Sequence, residues 1–217
     1  GLLVRVSSIE EREINGAFGM KIAADSDFID ESISDYDAIV LPGGLEAAQK
    51  LSEFQKFLKD KLAEENIFGI DGLLLDLGLS SFQIDDEKRG FTYLKDTSLD
   101  MRMNQQQELT AQTILNTYTK EELSRIFFVY GEEKNSFKIA DRIIERRPLE
   151  TTMDLVKITD SVNYKEKGHS AKRVFQALRI AVNDELTVLE DVLKEAVELL
   201  NPNGRLVVIT FHSLEDR

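Results

Sequence analysis

Three short apolar runs, each ending in a turn or a polar residue, constrain the fold of this chain more than any other feature. They are residues 37–41 before Pro42-Gly43-Gly44, residues 71–77 with Asp76 near the end, and residues 206–211 before His212. Runs of this length without polar alternation suit parallel strands covered on both faces. Helical spacing fills the stretches between them. Leu51, Phe54, Leu58 and Leu62 share one face, and Leu186, Leu189, Leu193 and Val197 share another. Thr119 with Glu122 forms a capping-box start, Thr151-Thr152-Met153-Asp154 opens a further helix, and Asn201-Pro202-Asn203-Gly204 closes the last one. Strands separated by helices predict an α/β three-layer sandwich with a mainly parallel, Rossmann-like sheet. Residues 109–175, helical throughout, read as an inserted all-helical subdomain. Toward the N-terminus, residues 2–7 read as a strand. Residues 11–15 and 19–24 read as a hairpin about Asn15-Gly16. Residues 78–107 show no period, and a connection that long is usually functional or disordered.

Composition narrows the chemistry. The chain has no cysteine, which excludes disulfides, thiolate zinc sites and cysteine nucleophiles. Its two histidines, His169 and His212, are too few for a His-rich metal site, so no metal is expected. Lys plus Arg number 27 against 40 Asp plus Glu, a net charge of -13. Such a chain is a poor generic nucleic-acid binder, and RNA contact requires a local basic patch. The most basic stretch holds Lys165, Lys167, Lys172, Arg173 and Arg179 against Glu166. It serves either as a solvated helix face or as a phosphate contact. No run of eighteen apolar residues is present, and the start lacks a signal-peptide layout. The chain opens on Gly1 with no initiator Met, which points to trimming.

In open α/β sheets, ligands bind beyond the C-terminal ends of the strands. This places three segments near a site: Pro42-Gly43-Gly44, Asp76 through Ser81, and Phe211-His212-Ser213. Asp76 is the sharpest candidate, because a carboxylate ending an apolar strand can accept from an amine or from ribose hydroxyls. Alternatively it caps the following turn. Ser80-Ser81 is a turn signal before it is a nucleophile, and His212 is either an acid–base group or a packed, hydrogen-bonded side chain. A phosphate-bearing or amino-acid-tailed cofactor usually meets a Gly-rich turn after the first strand. Ser8-Ile9-Glu10-Glu11-Arg12-Glu13 stands there instead.

From about residue 67 onward the motifs resemble those of the bacterial small-subunit ribosomal RNA (cytosine-N4) methyltransferases, the MraW/RsmH-like family. They are Asp71-Gly72-Leu73-Leu74-Leu75-Asp76-Leu77-Gly78-Leu79-Ser80-Ser81-Phe82-Gln83, Arg89-Gly90-Phe91, Leu99-Asp100-Met101-Arg102-Met103, Tyr130-Gly131-Glu132-Glu133, the stretch from Phe175 through Asn183, and Phe211 through Arg217. Residues 1–66 resemble the ThiJ/PfpI flavodoxin-like family through Tyr36-Asp37-Ala38-Ile39-Val40-Leu41-Pro42-Gly43-Gly44, with Ala47-Ala48, Leu51-Ser52 and residues 19–25. A junction near Asn66-Ile67-Phe68-Gly69 would make the chain a chimera. Its α/β core would be built from 1–66 with 67–108 and 176–217, and 109–175 would be inserted.

The methyltransferase resemblance implies S-adenosylmethionine as cofactor, held by Asp76 and Gln83, with Asp76 also the catalytic acceptor. It implies ribosomal RNA as partner, met by His212, Ser213, Lys165, Lys167, Lys172 and Arg173, and a cytoplasmic location. The loop 82–104 would close over the reactants. Loss of the Gly-rich turn at about 1–3 kcal/mol per hydrogen bond implies cofactor affinity lowered by orders of magnitude. The resulting expectation is a methyltransferase-derived scaffold with little or no catalysis. A working RNA cytosine-N4 methyltransferase is the alternative, a pure RNA-binding module another. A ThiJ/PfpI-like hydrolase or glyoxalase is disfavoured by the absent cysteine.

Overall fold

A computed structural model of the chain describes residues 7–8, 13–15, 21–23, 26–27, 60, 62–64, 66–76, 89–164, 168–210 and 212–216. The chain divides into two compact units. One comprises residues 1–82 and 191–211, the other 83–190 and 212–217.

In the first unit, strands β1 (Ser7–Ser8) and β4 (Ser26–Asp27) pair in parallel. Strands β2 (Glu13–Asn15) and β3 (Lys21–Ala23) pair antiparallel, with Asn15 opposite Lys21. The predicted hairpin is therefore present as a strand pairing. Strand β5 (Ile70–Asp76) lies parallel to β6 (Leu200–Ile209), with Gly72 opposite Arg205 and Asp76 opposite Ile209. The class is thus mixed α/β, with a parallel pair formed by two of the three apolar runs. The run at 37–41 lies outside the described residues.

Burial along β6 alternates, contrary to the expectation of a strand covered on both faces. Leu206 and Val208 are half-buried, whereas Val207 and Ile209 are exposed. The register breaks between Ile70 and Gly72, so that 201–204 bow out opposite Asp71. The turn chemistry at that point is legible. Asn203 takes a left-handed φ of 70°, and Asn201 Nδ2 donates to Asp71 Oδ1 at 2.9 Å.

The second unit is helical: α1 (Ala111–Thr117), α2 (Lys120–Gly131), α3 (Ser136–Glu145), α4 (Thr152–Asn163), α5 (Lys172–Asn183) and the start of α6 (Glu185–Leu199). The predicted cap at Thr119 is formed in both directions. Its hydroxyl accepts from Glu122 N at 3.3 Å, and Glu122 Oε2 accepts from Thr119 N at 2.8 Å. At the start of α4, Asp154 Oδ2 accepts from Thr151 N at 3.1 Å. Leu123, Phe127, Ile139, Ile143, Leu155 and Ile158 are fully buried and make the core of this unit. Gly131 sets how closely α2 approaches α5, because a Cβ there would stand 2.5 Å from Arg173 O.

The predicted stripe on α6 is displaced. Val192 and Ala196 are its buried apolar residues, together with Glu185, while Val197 is exposed. The buried positions are 185, 192 and 196, while Leu186, Leu189 and Leu193 of the stripe read from the leucines are half-buried. No described helix is long and apolar enough to cross a membrane.

Candidate functional site

Asp76 occupies the last position of β5, beside Ile209 of the parallel neighbour. Its backbone therefore stands at the C-terminal edge of the pair, the edge at which α/β sheets bind ligands. Gln83 and the Ser80-Ser81 turn lie outside the described residues, as do Lys165, Lys167 and Pro42-Gly43-Gly44.

The aperiodic stretch is an anchored structure from Arg89 onward, where a closing loop was expected. Leu99, Met101 and Met103 are buried. Arg89 Nη2 donates to the carbonyls of Arg102 and Met103, both at 2.8 Å, and Met101 N donates to Arg89 O at 2.9 Å. Met101 itself is held at φ 57°. Gly90 is required where it stands, since its φ is +72° and a Cβ would meet Ser98 O at 2.2 Å. Asp100 accepts from Arg102 Nε at 2.8 Å and Nη2 at 2.9 Å. Burial pulls the Asp100 carboxyl upward, but the hydrogen bonds and charge of Arg102 outweigh it and hold the group below its ordinary value.

Asn183, at the end of α5, ties this stretch down. Its Oδ1 accepts from Met103 N at 2.8 Å, and its Nδ2 donates to Met101 O and Arg179 O, each at 2.8 Å. The Arg89-Gly90-Phe91, Leu99 to Met103 and Phe175 to Asn183 motifs thus meet in one hydrogen-bonded assembly. Sequence reasoning assigned Asn183 no role. Its one signal was a polar residue closing an otherwise apolar helical face.

A second assembly gathers around His212. Arg179 donates from Nε and Nη2 to the two carboxylate oxygens of Glu185 at 2.8 and 2.9 Å. Burial pushes the Glu185 carboxyl up, opposed by the Arg179 guanidinium and, more weakly, by His212. Arg179 is therefore committed to a buried carboxylate and is not a phosphate contact. His212 is packed, but its ring nitrogens have no hydrogen-bond partner among the described residues. Glu215 Oε1 stands 3.2 Å from His212 Nε2. The histidine expected to be hydrogen-bonded is thus packed against Glu215, with no hydrogen bond at its ring nitrogens among the described residues. Among the described residues, Glu185, His212 and Glu215 are those that could hold a metal ion, with donor atoms within 4.8 Å of one another. The Arg179 fork already engages both Glu185 oxygens.

Ser213 Oγ donates to Glu132 Oε2 at 3.4 Å, which links the Phe211 to Arg217 motif to the Tyr130 to Glu133 motif. Glu133, fully buried, accepts from Asn135 N at 2.8 Å and from Asn163 Nδ2 at 3.0 Å. Lys172 is exposed and Arg173 half-buried in the first turn of α5. His169, the other histidine, packs its ring 4.3 Å from Tyr93 and accepts from Ala171 N through Nδ1 at 3.2 Å.

Comparison with known proteins matches residues 27–217 to the MraW methylase family. The chain is 62% identical over 161 residues to ribosomal RNA small subunit methyltransferase H 1 of Acholeplasma laidlawii (strain PG-8A), covering 74% of this chain and 54% of that protein. It is 58% identical over 160 residues to ribosomal RNA small subunit methyltransferase H of Onion yellows phytoplasma (strain OY-M), covering 74% and 53%. The protein of that name from Streptococcus mutans serotype c (strain ATCC 700610 / UA159) is 52% identical over 169 residues, covering 75% and 54%. The chain spans about half the length of these relatives. The family match crosses residues 66–69, where a junction was expected, and takes in 27–66. The expected ThiJ/PfpI parent therefore gains no support.

Proposed function

The chain belongs to the MraW methylase family, and from that premise we propose that it forms part of an S-adenosylmethionine-dependent methyltransferase acting on the exocyclic N4 amine of a cytosine in small-subunit ribosomal RNA. The observation that carries this reading is the position of Asp76 at the C-terminal edge of the parallel β5–β6 pair. That edge borders the region where open α/β sheets hold their ligands. Asp76 and Gln83 would hold the cofactor, which supplies an electrophilic methyl group when bound. The N4 lone pair is delocalised into the ring. The protein's task is therefore to present the amine in line with that methyl group and to accept hydrogen bonds from its N–H groups. Asp76 is the acceptor in this reading, with His212, Ser213, Lys172 and Arg173, together with Lys165 and Lys167, on the RNA side. The α/β core, 67–108 with 176–217, belongs in this reading to a three-layer sandwich, with 109–175 inserted.

A second reading is a scaffold with little cofactor affinity. It is favoured by Ser8-Ile9-Glu10-Glu11-Arg12-Glu13 in the place of a Gly-rich turn. Calorimetric titration with S-adenosylmethionine separates the two. The first expects saturable binding, weakened at least tenfold by Asp76→Ala, and methyl transfer to small-subunit RNA that the same substitution abolishes. Absence of binding and transfer with the unaltered protein rejects it in favour of the scaffold.

A further inference from the structure

Helix α3 and the end of α4 flank an open groove of about 480 Å³, lined chiefly by Lys138, Asp141, Arg142, Glu145, Arg146 and Tyr164. Its charges do not cancel. Asp141 is taken by Lys120, and Arg142 is paired with Glu145 at 2.9 Å. Lys138 and Arg146 remain without an acidic partner among the described residues, although the chain as a whole carries a net charge of -13. Lysines and arginines outnumber acids along 134–147, where Lys134, Lys138, Arg142, Arg146 and Arg147 face only Asp141 and Glu145. Two aromatic rings are exposed on the same elements. Tyr164 is 73% exposed, and Phe137 is 57% exposed with the Lys120 ammonium 4.0 Å from its ring centre.

Unpaired cations beside exposed aromatic rings are the combination that holds single-stranded nucleic acid. The cations meet phosphates and the rings stack on bases. An exposed tyrosine adds nothing to the binding of a purely acidic peptide. We propose that the α3–α4 groove is a docking site for a single-stranded segment of RNA, with Lys138 and Arg146 on the phosphodiester backbone and Tyr164 stacked on a base. This deepens the RNA half of the proposed function and rests on it. It puts the basic contact of an acidic chain on the helical unit, and Lys165 and Lys167 follow Tyr164 directly in the sequence.

The test is filter binding of a single-stranded RNA oligonucleotide of small-subunit sequence to the 217-residue chain across a salt series. Lys138→Gln with Arg146→Gln is compared with Lys194→Gln with Arg205→Gln, which removes the same charge from the other unit. All four positions are exposed, so folding is preserved and is checked by thermal melting. The groove pair should lose about tenfold in affinity and lower the salt slope by about 1.4, two contacts at about 0.7 each. Tyr164→Ala should lose affinity with the slope unchanged. Equal effects from the two pairs, or no salt-dependent RNA binding at all, would overturn the groove. Polyglutamate competing as well as RNA would overturn it in favour of an acidic protein. Cofactor calorimetry on the same samples reports separately on the methyltransferase reading, which a failed groove leaves standing.

Discussion

Replacing Asn183 with alanine isolates what holds the Met101–Met103 stretch in place. The side chain is 2% exposed and makes three hydrogen bonds of 2.8 Å. Two of them reach Met103 N and Met101 O, 80 and 82 residues away in sequence. The third goes to Arg179 O within the same helix. Alanine would leave the two distant backbone groups without this partner in a buried setting, at about 1–3 kcal/mol each. Loss of the bond to Arg179 O adds little, because one turn of helix already surrounds that carbonyl. The expected cost is about 3 kcal/mol, which lowers the melting temperature by about 6–12 °C for a chain of this size. Asn183→Asp sharpens the test. Its carboxylate still accepts from Met103 N but turns an acceptor toward Met101 O, so at neutral pH it should be at least as damaging as alanine. Protonation restores a donor, and the deficit of the aspartate variant should shrink as pH falls while that of the alanine variant does not. Melting curves of the three proteins at neutral and acidic pH decide the matter. An alanine variant that melts within 1–2 °C of the parent, about 0.5 kcal/mol, would refute the claim that Asn183 anchors the stretch.

Arg179→Ala should cost about 3–5 kcal/mol, because it strands the buried Glu185 carboxylate. Burial raises the Glu185 value, so the group takes up a proton more readily in the folded chain than in the unfolded one. The deficit should therefore ease as pH falls, and Glu185→Gln added to Arg179→Ala should recover part of the stability; denaturant titration of both proteins at two pH values checks this. Asp100 has the opposite sign. Its folded value lies below the ordinary 3.8, so its contribution is complete above that value and is lost as pH falls through the folded one. Asp100→Asn should flatten the acid limb of a stability–pH profile, and an unchanged limb would remove Asp100 from the account.

Local chemistry was legible where it is closed within a few residues. Thr119 and Glu122 announce their cap because both partners lie in one turn of chain. Asn15-Gly16 announces a pairing of its flanks for the same reason. The apolar runs at 71–77 and 206–211 foretold a parallel pair, since two strands so separated by helices have few other ways to meet. The α6 stripe was misread because leucine count is a poor guide to orientation. The helix turns toward what it packs on, and there the smaller Val192 and Ala196 are buried.

By itself the sequence determined the helix start at Thr119, the pairing of the segments flanking Asn15-Gly16 and the two apolar runs that pair in parallel, because backbone propensity, apolar period and turn residues act over short distances. Only the tertiary structure decided which polar side chains are spent within the protein and which remain available. Arg179 belonged on sequence to a basic stretch, yet its fork is closed on Glu185. Lys138 and Arg146 drew no notice, yet they border an open groove without acidic partners among the described residues. A polar or charged residue's role depends on its neighbours within about 4 Å, and for Asn183 two of those neighbours lie 80 and 82 residues away along the chain.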